Sequence, residues 1–254
     1  MELVRRGLVA SRAEAREAIE AGRVLVGGAQ AGKASSLVAP EDPVAVEGEG
    51  RAYVSRGGVK LAAALDAFGI DPRGRAALDA GAATGGFTDV LLQRGAAHVT
   101  AVDVGYGQLA WTIRKDPRVA VLERFNVRDL RPEDLEGRPE LVVADLSFIS
   151  LAKVLPALVR VAADGADLVL LVKPQFEAGR ADVGSGGVVR DPAVWARVIR
   201  EVAAAASEAG AGPLGLVASP VRGPAGNVEF LLHARVGDQG AELDVEGAVA
   251  GVPS

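Results

Sequence analysis

Between residues 76 and 236, short apolar runs alternate with amphipathic helical stretches, and this alternation restricts the fold more than any other feature. The apolar runs occupy positions 76–80, 99–104, 119–122, 141–145, 167–173, 214–218 and 228–236. Helical patterns occupy positions 87–94, 151–163 and 192–209. Strands that alternate with helices form a parallel sheet covered on both faces. The Pro- and Gly-containing segment 220–226 predicts an antiparallel pair at one edge. We therefore predict an α/β fold with a mostly parallel, seven-stranded sheet.

The beginning of the chain has a different pattern, typical of a small α+β unit. Ser11 and Glu14 have the spacing of a capping box, which predicts a helix over residues 11–21. Two β-type runs follow, at 24–26 and 44–46, and predict a hairpin-like arrangement. Composition then divides the chain into an α+β domain (1–48), a polar linker (49–54), the α/β domain (55–236) and an acidic, disordered tail (237–254).

A turn of small residues joins the first strand of the α/β domain to its helix. Small residues allow a ligand to approach the backbone closely, and a helix N-terminus offers free N–H groups to a carboxylate or phosphate. The G-x-G-x-x-G pattern of dinucleotide sites is absent, and an acidic residue before the turn would repel a pyrophosphate. The candidate ligand contacts are Asp79, Gly81, Ala82, Thr84, Gly85, Gly86 and Phe87.

A second acidic residue supports a nucleoside that carries an amino acid. Asp103 ends the next strand, where a carboxylate can accept hydrogen bonds from both ribose hydroxyls. Asn126 follows the third strand and is a candidate contact for the adenine edge, or else an ordinary loop residue. Together with the turn, these residues predict a pocket for S-adenosylmethionine.

Four charged residues lie at strand ends or in an adjoining loop. Lys60 precedes the first strand of the domain, Asp145 and Lys173 end later strands, and Glu229 begins the last. A lysine that closes an almost wholly apolar strand is costly unless it is paired or functional, so Lys173 is the strongest single indication of a catalytic site. Each of the four, taken alone, is also compatible with a structural salt bridge.

The first forty-odd residues resemble the S4 RNA-binding domain. The resemblance is carried by Leu3-Val-Arg-Arg-Gly-Leu8, by Ser11-Arg12 and by the spacing from Ala15 through Gly28. It implies that Arg5, Arg6, Arg12, Arg16 and Lys33 contact the RNA backbone. The alternative is that these basic residues form an ordinary solvated helix face.

The rest of the chain resembles the FtsJ-like RNA ribose 2'-O-methyltransferases, and the TlyA family in particular. The matching strings are Ser55-Arg-Gly-Gly-Val-Lys60, Asp79-Ala-Gly-Ala-Ala-Thr-Gly-Gly-Phe-Thr88, Asp145-Leu-Ser-Phe-Ile-Ser150, Val172-Lys-Pro-Gln-Phe-Glu177 and Gly226-Asn-Val-Glu229. The resemblance implies a Rossmann-like class I methyltransferase that methylates cytidine 2'-hydroxyls of ribosomal RNA in ribosomal subunits. It also implies that Lys60, Asp145, Lys173 and Glu229 are catalytic, with Asp145 beside the cofactor as well.

The resemblance assigns a role to each charged residue. Lys173 is the base that takes the proton of the 2'-hydroxyl or the close partner of that base, provided that burial and the positive charge of Lys60 leave it partly neutral, and Asp145 orients it. Lys60 and Glu229 position the ribose. We also expect Arg56, Arg180 and Arg190 to contact RNA, the last two from a glycine-rich segment that is either a mobile lid or a plain surface loop. We expect Trp111 and Trp195 to be packing residues.

Charge and composition bear on RNA binding, metal binding and membrane association. The net charge is −5, but residues 237–254 hold four acidic and no basic residues, so the acidity says little about RNA binding. Without cysteine and with two histidines, a metal site is not expected. We find no signal sequence or membrane span and expect a cytoplasmic protein without stable membrane association. A membrane-active, haemolysin-like protein and a non-catalytic RNA-binding assembly factor remain the alternatives.

Overall fold

The computed structural model describes residues 2–9, 11–20, 22–31, 33–35, 37–46 and 52–252. The chain divides into two compact units, Met1–Ala52 and Tyr53–Ser254. Of the predicted linker, positions 49–51 lie outside the described residues, while Tyr53 and Val54 pack against the apolar core of the second unit. The second unit therefore begins two residues earlier than the sequence predicts.

The first unit is a small α+β domain. It consists of α1 (Glu2–Arg5), α2 (Arg12–Glu20), β1 (Val24–Val26), β2 (Ala29–Gln30) and β3 (Val44–Val46). The strands form an antiparallel sheet in the order β2-β1-β3. Helix α2 begins as the capping box predicts, because the Ser11 hydroxyl accepts a hydrogen bond of 3.2 Å from the backbone N–H of Glu14. Leu3, Ala18 and Val24 lie in its apolar core.

The second unit contains seven strands and seven helices among its described residues. Its elements are α3 (Gly57–Phe68), β4 (Ala76–Ala80), α4 (Gly86–Gln93), β5 (His98–Asp103), α5 (Trp111–Arg114), β6 (Val119–Glu123), β7 (Leu141–Ala144), α6 (Leu155–Val161), β8 (Asp167–Val172), α7 (Pro174–Glu177), α8 (Pro192–Glu208), β9 (Ala211–Ala218), β10 (Phe230–Val236) and α9 (Val245–Ala250). Single-turn 3-10 helices lie at Val127–Asp129, Pro132–Asp134, Leu151–Lys153, Arg180–Asp182 and Ser185–Gly187.

The seven strands form one sheet, in the order β6-β5-β4-β7-β8-β10-β9. The first five are parallel, whereas β10 is antiparallel to both of its neighbours, β8 and β9. The predicted α/β class with an antiparallel pair at one edge is confirmed. In the register of β10 and β8, Phe230 lies opposite Val172, so the start of β10 lies beside the end of β8.

Helices cover both faces of this sheet, and the strands are apolar on both sides as a result. Leu78, Val142 and Leu168 belong to one buried cluster. Their sequence neighbours Ala77, Val143 and Val169 belong to the other. Neighbouring residues of a strand point to opposite faces, which explains why these runs are continuously apolar.

The sequence did not predict α3, the helix that carries Lys60. Two glycines open this helix, and glycine has low helix propensity. The structure explains the first turn by packing: Gly58 lies against the Tyr53 side chain, and the Ser55 hydroxyl lies against Gly86. No side chain would fit at Gly58 or Gly86 without a shift, so tertiary contacts override the local preference.

Two further predictions are wrong. The tail is ordered over residues 237–252, where Val245 is buried in the main core and Ala241 N–H donates to Pro213 O at 2.7 Å. Its acidic composition concealed the apolar residues Leu243, Val245 and Val249, which pack against that core. Trp111 is also not a packing residue, because 68% of it is exposed.

Candidate active site

The turn after β4 is built so closely that glycine is required. Gly81 has a φ of 88°, and a Cβ there would lie 2.5 Å from the carbonyl oxygen of Asp145. Gly85, with a φ of 95°, caps the N-terminus of α4. Gly81 N–H and Ala82 N–H both donate to Val102 O, at 2.8 and 3.2 Å. The turn is thereby fixed against the ends of β5 and β7, with its backbone open to a ligand.

Asp79 lies beneath this turn and not on the surface of a cavity. Its carboxylate is completely buried and accepts hydrogen bonds from the Thr88 N–H, at 2.9 Å, and the Thr88 hydroxyl, at 2.6 Å. Its Oδ1 has no hydrogen-bond partner among the described residues. Burial raises the pKa of Asp79 to about 7. The geometry supports a role in holding the turn and not a direct contact with a cofactor.

Asp103 and Asn126 are engaged in shaping loops beside the turn. The Asp103 carboxylate accepts hydrogen bonds from Ala83 N–H and Gly105 N–H, at 2.8 and 2.6 Å. The Asn126 side chain accepts one from Arg128 N–H, at 3.1 Å, and caps a single-turn helix. Neither residue lines the cavity that begins at the glycine turn. Their contacts with a nucleoside remain predictions.

A cavity of about 600 Å³ begins at the glycine turn. Gly81, Ala82, Thr84, Gly86 and Phe87 line one end, so five of the predicted cofactor contacts of this turn meet the cavity surface. All four predicted catalytic residues line it too: Lys60, Asp145, Lys173 and Glu229. Its size is within the range of small-molecule sites. The turn and the charged residues therefore share one continuous space.

The four charged residues form two ion pairs, one buried on both sides and one with a part-exposed carboxylate, Asp145. Lys60 Nζ lies 2.5 Å from Glu229 Oε2, and Lys173 Nζ lies 2.5 Å from Asp145 Oδ1. Lys60, Lys173 and Glu229 are each less than 9% exposed. Lys173 also donates to the Ser147 hydroxyl at 3.0 Å. Two lysines and two carboxylates lie together, so the formal charges of the quartet sum to zero.

The sheet topology explains why these residues meet. Asp145 and Lys173 follow the parallel strands β7 and β8, so both lie at the carboxyl edge of the sheet, where ligands of open α/β sheets bind. Glu229 precedes the antiparallel strand β10 and therefore reaches the same edge. Lys60 comes from α3. Gln175 Nε2 donates to Glu229 Oε1 at 3.4 Å, while Gln175 Oε1 is buried without a hydrogen-bond partner among the described residues.

Two aromatic rings border the charged residues, and the sequence analysis assigned neither of them a role. Phe148 is 90% exposed, lines the cavity and has a φ of 63°, a conformation that is costly for a bulky residue. Its ring lies 5.0 Å from that of Phe176, centroid to centroid. Lys173 Nζ lies 5.7 Å from the Phe176 ring centroid. The Phe148 ring is therefore exposed at the cavity, where it is available to a ligand.

The predicted RNA contacts of the first unit are of two kinds. Arg6 has an internal role: it pairs with Glu2 and donates to Ala39 O, Pro40 O and Asp42 O. Arg5 pairs with Glu2 but stays exposed, and Arg16 pairs loosely with Glu20 at 3.8 Å. Arg12 and Lys33 are exposed. The geometry favours these four over Arg6 as contacts for an external anion.

In the second unit, the predicted RNA contacts are exposed. Arg56 lies at the rim of the cavity, and Arg222, which the sequence analysis did not single out, lies there too. Arg180 and Arg190 are exposed but do not line the cavity. Over the part of the chain that the structure describes, no helix has the length and apolar character needed to cross a membrane.

Comparison with known proteins identifies both units. Residues 53–236 match the model of the FtsJ-like methyltransferase family, and residues 2–44 match that of the S4 domain. The chain is 58% identical to the 16S/23S rRNA (cytidine-2'-O)-methyltransferase TlyA of Mycobacterium tuberculosis, over 92% of this chain and 88% of that protein. It is 45% identical to an rRNA methyltransferase candidate of Bacillus subtilis, over 96% of this chain and 88% of that one. A solved structure of a hemolysin candidate from Streptococcus thermophilus has a TM-score of 0.79 and 41% identity, covering 98% and 92% of the two chains.

Proposed function

The chain belongs to the TlyA family of FtsJ-like methyltransferases with an S4 domain, and from this premise we propose that it methylates the ribose 2'-hydroxyl of a cytidine in ribosomal RNA. The methyl donor is S-adenosylmethionine, and the substrate is a ribosomal subunit. One observation carries the proposal: two Lys-carboxylate pairs, both with a buried lysine, line a single cavity that is continuous with a glycine turn. Such an arrangement can hold a sugar hydroxyl and remove its proton.

The residues at the turn suit this cofactor. The first turn of α4 borders the cavity at Gly86 and Phe87, and N–H groups in the first turn of a helix have no partner within the helix. They fit the carboxylate of an amino acid. Asp103, fixed by two backbone N–H groups, is the candidate partner for the ribose hydroxyls. When bound, S-adenosylmethionine supplies an electrophilic methyl group on a positively charged sulfur.

Lys173 is the candidate base. Asp145 and Ser147 bind the amino nitrogen of Lys173 through two of its three hydrogen-bonding positions. The third position is left for a substrate oxygen in the cavity. In its neutral form, Lys173 would take the proton of the 2'-hydroxyl on Nζ. The oxygen would then be free to accept the methyl group of bound S-adenosylmethionine, whose carbon–sulfur bond would break so that S-adenosylhomocysteine leaves. Asp145 then stabilises the ammonium group that results. Asp145 and Ser147 also fix the direction from which the base acts.

Lys60 and Glu229 hold the sugar. The pair is almost completely buried, and Glu229 is fixed further by Gln175. The N–H groups of Lys60 that are not donated to Glu229 can donate to ribose oxygens. Because both partners are already in place without substrate, the site loses little entropy when the ribose binds.

The rim of the cavity suits a nucleotide that is turned out of its RNA helix. A nucleobase can stack on the exposed Phe148 ring, as unpaired bases do on aromatic side chains. Arg56 and Arg222 lie at the same rim, where flanking phosphates would pass. The exposed basic residues of the first unit, including Arg12 and Lys33, provide further contacts with the RNA backbone.

The test is methylation of separated ribosomal subunits with labelled S-adenosylmethionine, followed by mapping of modified nucleosides. We expect labelled 2'-O-methylcytidine with the wild-type protein and none with Lys173→Ala. Lys153→Ala is the matched control, because Lys153 is an exposed lysine of a neighbouring single-turn helix. Label in a base instead of a ribose, or no label with either subunit, would overturn the proposal.

A further inference from the structure

The glycine-rich segment between α7 and α8 forms part of the cavity wall. Gly186 and Gly187 line the cavity on the side of Glu229 and Asn227. Both glycines have a positive φ, 77° and 74°, and no atom would contact a Cβ at either position. Their backbone, and not a side chain, therefore faces the space that holds the four charged residues.

Side chains from two other elements bind the backbone of this segment at one residue, Val189. Asn227 Oδ1 accepts a hydrogen bond from Val189 N–H at 3.0 Å. Trp195 Nε1 donates to Val189 O at 3.0 Å. Both polar backbone atoms of Val189, a residue that is 1% exposed, are thus bound by side chains that come from the loop before β10 and from α8.

Asn227 makes a second bond, directly to the cavity wall. Its Nδ2 donates to Gly187 O at 2.9 Å, so the amide bridges two points of the glycine segment. Asn227 is 2% exposed, and loss of its side chain would leave the buried Val189 N–H and the part-buried Gly187 carbonyl without these partners. The bonding is specific for an amide, because one end must accept and the other must donate.

The backbone of Asn227 shapes the opposite wall. Asn227 O accepts a hydrogen bond from Gly223 N–H at 2.9 Å, and this closes the turn that precedes β10. A Cβ at Gly223 would lie 2.5 Å from Glu229 Oε1. A single residue therefore joins the glycine segment to the turn against which the Glu229 carboxylate rests.

We propose that Asn227 is a positioning residue that, together with Trp195, holds residues 184–189 as a fixed wall on the ribose side of the cavity. The inference rests on the proposed function for the identity of the substrate. Asn227 lines the cavity, but both ends of its amide are bound to the backbone of this segment, so we assign it to the wall and not to the reaction itself. Its loss is expected to release the segment and to weaken productive binding of the RNA ribose, while the cofactor end of the cavity, formed by the glycine turn, stays intact.

The experiment compares Asn227→Ala, Asn227→Asp and Trp195→Phe with the wild-type protein in three measurements. These are steady-state methylation of ribosomal RNA, calorimetric binding of S-adenosylhomocysteine, and limited trypsin digestion of the full chain. Trypsin cleaves after Arg180 and Arg190, which flank the segment, and cleavage of a folded protein reports local opening. Trp111→Phe is the matched control for Trp195→Phe, since Trp111 is exposed and outside the segment.

For Asn227→Ala we expect a loss of about tenfold or more in kcat/KM for RNA, because small displacements at a reacting centre have effects of this size. We expect faster cleavage at Arg190 and unchanged affinity for S-adenosylhomocysteine. Asn227→Asp keeps the acceptor but loses the donor, so it is expected to show the same three effects. Trp195→Phe keeps the ring and is expected to show a smaller change in the same direction, and Trp111→Phe none.

Two results would overturn the inference. One is wild-type trypsin cleavage in Asn227→Ala and Trp195→Phe, whatever their activity. The other is lost affinity for S-adenosylhomocysteine without faster cleavage, which would place the role of Asn227 at the cofactor. If Asn227→Ala does not fold, trypsin cleavage of Trp195→Phe still tests whether side chains hold the segment in place. A wild-type protein that methylates no ribosomal RNA contradicts the proposed function, whereas the trypsin measurement tests the anchoring separately.

Discussion

Glu177 accepts a hydrogen bond of 2.8 Å from the backbone N–H of Leu151. The bond joins the turn that follows Lys173 to the loop that carries Asp145 and Phe148. Glu177 is largely buried, and burial raises the pKa of its carboxyl above the usual value. The residue is outside the cavity, so it supports the two catalytic segments without touching a substrate.

Replacement of Glu177 should therefore impair catalysis indirectly. We expect Glu177→Ala to lower the free energy of unfolding by about 1–3 kcal/mol, because the Leu151 N–H loses its partner in a part-buried position. We also expect kcat to fall, since Phe148 and Asp145 lose their support. Glu177→Gln keeps an acceptor oxygen and should restore most of both. Urea denaturation and steady-state kinetics measure the two effects, and an equal loss in both variants would contradict this explanation.

The position of the Glu229 carboxylate can be tested by adding one methyl group next to it. In Gly223→Ala the new Cβ would lie 2.5 Å from Glu229 Oε1, so the carboxylate must shift, and we expect this shift to disturb its pair with Lys60. We expect kcat to fall about tenfold or more, with little change in cofactor affinity. Gly179→Ala is the matched control, because its Cβ would meet only Asp182 Oδ2, at an ordinary 3.9 Å. Wild-type kinetics in Gly223→Ala would show that Glu229 has room to shift.

Phe148 allows stability and activity to be separated. A phenylalanine with a φ of 63° is strained, and glycine at the same position is not. We expect Phe148→Gly to unfold at an equal or higher denaturant concentration than the wild type, with a gain of up to about 1 kcal/mol. RNA turnover should nevertheless decrease, since the stacking surface is lost. If Phe148→Gly retains full activity toward RNA, the ring has no part in substrate binding.

Asp79 predicts a specific dependence of stability on pH. Its folded-state pKa of about 7 lies above its unfolded value of about 3.9, so the folded protein binds this proton more tightly. The stabilisation is complete below the unfolded pKa and is lost as pH rises through the folded one. Asp79→Asn removes the titration, so its stability relative to the wild type should improve between about pH 5 and about pH 8, by on the order of 1–3 kcal/mol.

Unfolding midpoints at the two pH values test this expectation for Asp79. Asp71→Asn is the control, because Asp71 lies on an exposed turn and its replacement removes the same charge. A stability difference between Asp79→Asn and the wild type that stays constant with pH would contradict the assignment.

The two kinds of arginine in the first unit should differ in their effects. Arg6→Ala removes three bonds to backbone carbonyls and should lower the stability of that unit by about 2 kcal/mol. Arg12→Ala should leave stability unchanged and reduce the slope of log affinity against log salt by about 0.7–0.9, the contribution of one phosphate contact. Thermal unfolding and RNA binding at several salt concentrations separate the two. Equal loss of RNA affinity with unchanged stability in both variants would assign Arg6 to the RNA interface after all.

The strands were predictable because their apolar runs are buried on both faces. The predicted run 76–80 coincides with β4, and the alternation of strands with helices predicted a mostly parallel sheet, although not the order of its strands. Helix α3 was not predictable, because its first turn depends on Tyr53 and Ser55 packing against glycines, which no local pattern encodes. The ordered tail was missed for a related reason, since charge outweighed its few buried apolar residues.

The candidate site was predictable as a set of residues but not as a geometry. Lys173 was conspicuous because it closes an apolar strand, and a motif led to its three partners. The pairing of Lys60 with Glu229 and of Lys173 with Asp145 depends on the placement of β10 next to β8, which the sequence leaves open. Asn227 lies in the motif Gly226-Asn-Val-Glu229, yet its bonds to Gly187 and Val189 depend on a fold that brings distant segments together.

The position of β10 has a consequence for when the enzyme becomes active during its synthesis. The last strand of the sheet to be made is inserted between β8 and β9 and brings Glu229 with it. A nascent chain that ends before residue 226 therefore contains Lys60, Asp145 and Lys173 but lacks Glu229, the partner of Lys60. It also lacks β10, the strand that connects the edge strand β9 to β8. Translation must deliver nearly the entire domain before the ribosome-bound chain acquires a complete active site, so catalytic competence arises in one late step.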